Sequence, residues 1–92
     1  MGEARSTVEI VNQRGLHARA SAKFVGMVAG LPAGVKVTVA KPPHSAAGGS
    51  ILGLMMLGAA KGDTVEVAVE GENADAVLGD LVALIEDGFG EN

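Results

Sequence analysis

Two short runs place valine at every second residue: Val35, Val37 and Val39 in VKVTVA, and Val65, Val67 and Val69 in TVEVAVE. A period of two belongs to a strand that lays one side on a core and turns the other to solvent. Lys36, Thr38 and Ala40, and Thr64, Glu66, Ala68 and Glu70, form those outer sides. A third alternation, Val8 and Ile10 among Thr7, Glu9 and Val11, predicts a first strand over residues 6–12. Lys41-Pro42-Pro43 breaks the second strand, and His44 to Ala47 reads as a short returning edge strand. Strands of this kind build an antiparallel sheet with one apolar face, which helices must cover.

The segments between the strands have helical spacing. In residues 18–30, Ala18, Ala22, Val25, Val28 and Ala29 recur at that spacing, with Arg19, Lys23 and Gly26 on another side. Gly30-Leu31-Pro32-Ala33-Gly34 ends that helix. Gly48-Gly49 is a hinge, Ser50 is placed to cap a short helix over Ile51–Leu57, and Gly58 closes it. The last helix runs from about Asn73 to Asp87, with Ala74, Val77, Leu78, Leu81, Leu84 and Ile85 as its buried stripe and Gly88 as its stop. The expected fold is α/β (α+β): a two-layer open-faced β-sandwich of order β-α-β-β-α-β-α, a four-stranded antiparallel sheet with three helices on one face. One domain, residues 1–92, is expected.

Composition removes several functions. There is no Cys, so a disulfide framework, a zinc–thiolate cluster and a thiol nucleophile are all excluded. An apolar fraction of 48% is too high for a disordered chain. MGEARSTVEIVNQRG has no apolar signal core, and Ile51–Ala60 is too short to span a bilayer, so a cytoplasmic protein with no membrane insertion is expected. Charge is uneven: residues 1–46 hold six basic and two acidic side chains, and residues 47–92 one basic and nine acidic. The basic half lacks the aromatics on which nucleic-acid bases stack, so no nucleic-acid partner is expected. The acidic half is expected on the surface, away from any anion site.

Gly15-Leu16-His17-Ala18-Arg19 brings a histidine to the start of the first helix. Helix starts present unpaired N–H groups and the positive end of a dipole, and so attract anions. An imidazole there can act as a nucleophile toward phosphorus. The backbone N–H groups of Ala18 and Arg19 and the Arg19 guanidinium would neutralise the phosphoryl oxygens. The plain alternative, a helix-start histidine beside a surface arginine, fits the same pattern. His44 lies in a loop with no metal-ligand spacing around it, and Gly48-Gly49-Ser50 lacks the ending of a nucleotide-binding loop. No metal or cofactor is expected.

Asn12-Gln-Arg-Gly-Leu-His-Ala-Arg resembles the active-site segment of the HPr family, the histidine phosphocarriers of bacterial phosphotransferase systems. The likeness continues through Ser-Ala-Lys-Phe-Val and resumes at Ser50-Ile-Leu-Gly-Leu-Met-Met-Leu-Gly-Ala-Ala-Lys-Gly-Asp, covering nearly the whole chain. The resemblance implies an open-faced β-sandwich, phosphorylation of His17 through Nδ1 with assistance from Arg19, Enzyme I as donor and an enzyme IIA-type protein as acceptor. It implies a monomeric carrier rather than an enzyme acting on a small molecule. It also implies a docking surface of Ala22, Lys23 and Gly26 from the first helix with Ile51, Leu52, Met55 and Met56 from the second, where flexible methionines suit several partners. Ser50 falls where some relatives carry a serine phosphorylated by an HPr kinase/phosphorylase; an N-cap role explains it without any kinase. Ala20 stands where many relatives have Pro, which leaves the anion site an extra N–H and a less rigid entry. The Leu52–Gly62 run and the Gly-Phe-Gly-Glu-Asn end look closer to the nitrogen-related branch, which implies a mainly regulatory role. Two rivals remain at this point: a regulatory HPr-like module working through Ser50 alone, and a small acylphosphatase-like enzyme, which also needs an arginine at an anion loop.

Overall fold

Valine faces valine across the sheet. In a computed structural model describing residues 2–91, Val8 lies opposite Val65, Val37 opposite Val69, and Val39 opposite Val67. The strands are β1 (Gly2–Glu9), β2 (Lys36–Lys41), β3 (His44–Ala47) and β4 (Thr64–Gly71), arranged in the order β1-β4-β2-β3 with every pairing antiparallel. Helices α1 (Ala18–Ala29), α2 (Ile51–Met56) and α3 (Ala74–Glu86) form the second layer, and a single 3-10 turn, Gly88–Gly90, follows α3. The core between the layers is aliphatic around Phe24 and Phe89, both fully buried. The other sheet face carries Glu3, Arg5, Lys36, Glu66 and Glu70. The expected two-layer α+β sandwich is therefore the observed fold. No helix among the described residues is long and apolar enough to cross a membrane. Asn92, which ends the run compared with the nitrogen-related branch, lies outside the described residues.

Two expectations are corrected. The first strand spans Gly2–Glu9, not residues 6–12, because Gly2 to Ser6 pair with Val67 to Gly71 across the ladder. Polar side chains there hide the alternation, in which Ala4 and Val8 are buried. Ile10 is fully buried just beyond the strand and bonds Asp63 and Gly62 through its backbone. The buried stripe of α1 is Ala20, Ser21 and Phe24, while Ala18, Ala22 and Ala29 are exposed. Phe24 has the largest apolar surface on the helix and sets its rotation; alanine is indifferent to either side. Buried Ser21 donates its hydroxyl to the Leu16 carbonyl at 3.2 Å, so it is satisfied in the core. Of the expected α3 stripe, Ala74, Val77, Leu81 and Ile85 are buried, while Leu78 and Leu84 are only partly buried against the core.

Candidate functional site

The loop from β1 to α1 is tied to the segment after α2. Gly15 adopts φ +64, and a Cβ built there would sit 2.3 Å from the Ala59 carbonyl oxygen. The next residue, buried Leu16, donates its N–H to that same oxygen at 3.0 Å. Asn12, also buried, donates through Nδ2 to the Gly15 carbonyl at 2.8 Å. These bonds deliver His17 as the N-cap of α1, with extended backbone and its carbonyl accepting from Ser21 N–H.

Both ring nitrogens of His17 have partners. Nδ1 accepts from the Arg19 backbone N–H at 3.3 Å, and Nε2 lies 2.7 Å from Glu91 Oε2. A nitrogen that accepts a hydrogen bond carries its lone pair, so the proton of the neutral ring is on Nε2 and is donated to Glu91. The other Glu91 oxygen accepts from Asn12 Nδ2 at 3.2 Å. Partial burial pushes the Glu91 carboxyl up, but the hydrogen bonds from Asn12 and His17, with the charges of His17 and Arg19, outweigh it and hold the group below its ordinary value. The chain reaches His17 because Gly88, Phe89 and Gly90 all take positive φ, near 60–70°, with buried Phe89 as anchor. Lys23 Nζ fixes the same segment by donating to the Phe89 carbonyl at 2.6 Å.

Around this pair lies a depression of about 440 Å³ lined by Gln13, Arg14, His17, Arg19, Lys23, Gly90 and Glu91. Three cations face one carboxylate, so the depression suits an anion. Of the residues expected from sequence, His17, Arg19 and Lys23 meet here, and the Arg19 N–H of the first turn is held on His17 Nδ1. The Lys23 ammonium is already engaged by the Phe89 carbonyl. Ala22 and Gly26 are exposed on α1, which packs against α2. On α2, Leu52 and Met56 are 68% and 75% exposed and Ile51 and Met55 about 40%, while Leu54 and the following Leu57 fill the core. Ser50 caps α2, its Oγ accepting from Gly53 N–H at 2.9 Å. No group of three potential metal-binding side chains occurs among the described residues.

Glu91 is the residue that sequence reasoning missed. The acidic half of the chain is expected away from the anion site, and its last described residue instead sits on His17. No periodicity links residues 74 positions apart, and only the positive-φ run at 88–90 hints that the chain turns back. Asn12 lies in the quoted motif, but its bridging role needs the fold.

A protein-family model described as the PTS HPr component phosphorylation site matches residues 4–87. The chain is 45% identical over 85 residues to the phosphocarrier protein HPr of Pseudomonas aeruginosa, covering 91% of this chain and 92% of that one. It is 34% identical over 88 residues to the phosphocarrier protein NPr of Escherichia coli, covering 96% and 97%. The crystal structure of HPr-C-His from Thermoanaerobacter tengcongensis superposes with a TM-score of 0.86 at 37% identity, covering 100% of this chain and 99% of that one.

Proposed function

Because the chain belongs to the HPr family, the histidine phosphocarriers of the phosphotransferase system, we propose that His17 is the residue that carries the phosphoryl group. One observation supports the assignment above the others: the Nδ1 lone pair of His17 is held at the start of α1, 3.3 Å from Arg19 N–H, beside Arg14, Arg19 and Lys23. Nδ1 forms the N–P bond as the bond from phosphorus to the donor breaks, and that electron pair leaves with the donor. The phosphoryl oxygens then replace the lone pair as acceptors for the Ala18 and Arg19 N–H groups, and the Arg19 guanidinium offsets their charge.

The family implies partner enzymes of the phosphotransferase system. In our reading these are Enzyme I as donor and an enzyme IIA-type acceptor in the cytoplasm, and the chain is a stoichiometric carrier. Ile51, Leu52, Met55 and Met56, with Ala22, Lys23 and Gly26, form the docking surface. Exposed apolar area of this kind on a small domain fits a partner better than solvent. The cap at Ser50 explains that serine without a kinase. A phosphate there would set charge beside Ile51 and Leu52 and weaken docking.

The test is to incubate the protein with Enzyme I and phosphoenolpyruvate, then add an enzyme IIA-type domain. An acid-labile, alkali-stable phosphoryl group that moves to the acceptor is expected. Release as inorganic phosphate without a phosphorylated chain would instead indicate a phosphatase.

A further inference from the structure

We propose that Glu91 is a positioning residue that keeps the proton on Nε2 of His17 in both the free and the phosphorylated states; this rests on His17 being the phosphoryl carrier. In the free ring, the Nε2–H···Oε2 contact of 2.7 Å leaves Nδ1 as the one nitrogen with a lone pair. Glu91 thereby selects which nitrogen attacks phosphorus. Asn12 Nδ2 holds the second carboxylate oxygen, so the acceptor does not rotate away. Lys23 and Phe89 hold the backbone that carries it.

The consequence for the phosphorylated ring follows from counting protons. Once Nδ1 is bonded to phosphorus, a neutral ring would place the Nε2 lone pair against Glu91 Oε2, two electron-rich atoms at hydrogen-bond distance. Keeping the Nε2 proton removes that repulsion and leaves the ring cationic. A cationic ring is the better leaving group: when the N–P bond breaks toward an acceptor, its electron pair returns to Nδ1 and neutralises the ring. The charged groups facing the ring are Arg14 from the loop, Arg19 and Lys23 from α1, and Glu91 from the segment after the 3-10 turn. The three cations oppose a positive ring, and Glu91 is the lone carboxylate among these lining residues.

The experiment compares wild type, Glu91→Ala and Glu91→Asp, each with 15N-labelled histidine. The chains are phosphorylated with Enzyme I and phosphoenolpyruvate and, separately, with phosphoramidate, which needs no docking. Phosphorus–nitrogen coupling identifies the bonded nitrogen, and phosphoryl loss is timed from pH 6 to pH 9. With phosphoramidate, His17 of the wild type is expected to carry phosphorus on Nδ1 alone, and His17 of Glu91→Ala on Nε2 as well. At pH 8 the Nδ1-phosphoryl group of Glu91→Ala is expected to be lost about tenfold more slowly, the size of one neighbouring charge's effect on a titration. Glu91→Asp should restore much of both behaviours, which a role in folding alone would not predict. The same bonded nitrogen and the same pH profile in Glu91→Ala and wild type would overturn the proposal. If Enzyme I labels no chain, the carrier reading fails on its own terms, and the phosphoramidate arm still decides the role of Glu91.

Discussion

At the scale of single residues, the site depends on an absent side chain. Gly15 combines φ +64 with a carbonyl oxygen 2.3 Å from where its Cβ would lie. Gly15→Ala should cost about 2–4 kcal/mol, a left-handed backbone penalty plus a packing one, measured by urea unfolding. Gly58 has nearly the same φ, +66, and open space around it, so Gly58→Ala should cost only the backbone part. Equal losses in the two variants would mean that the Ala59 contact does not matter. Ser50→Ala should cost about 1 kcal/mol through loss of the α2 cap, read in the same assay. His17, Arg19 and Ser50 were legible because caps and helix starts are local. Glu91 and the bridge through Asn12 were not, since their contacts span 74 and 79 positions in the chain.

At the scale of elements, α2 divides its six residues between core and solvent: Leu54 inward, and Ile51, Leu52, Met55 and Met56 outward. Met55→Glu should therefore leave the thermal midpoint within a degree or two while slowing transfer both from Enzyme I and to the acceptor, because an exposed charge costs the fold little. Unchanged stopped-flow transfer rates would remove α2 from the docking surface. The segment after the 3-10 turn makes a pH prediction. The Glu91 carboxyl is held below its ordinary value, so its attachment is present above about pH 4.5 and is lost as pH falls through the depressed folded value. The carboxyl carbon shift of Glu91 should titrate below 4.5, and Glu91→Gln should remove that acid dependence from the Phe89 amide shift. Elements were legible where valine alternates or leucine repeats, as in β2, β4 and α3. The start of β1 was hidden by polar residues whose strand state is imposed by pairing with β4, and the face of α1 by alanines that carry no directional preference.

At the scale of the whole molecule, the fold gathers three cations of the first half, Arg14, Arg19 and Lys23, into one depression and leaves most of the acidic half on β4 and α3. A local positive site on a chain of net charge −4 favours partners that approach, exchange an anion and separate. One carboxylate crosses that divide, and the structure puts it on the imidazole. The carrier assignment for His17 is tested most directly by the 15N spectrum of the chain after incubation with Enzyme I and phosphoenolpyruvate. Phosphorus coupling is expected on Nδ1 of His17 alone, and none in His17→Ala. An unlabelled chain, coupling on His44, or a phosphoryl group that persists in His17→Ala would contradict it.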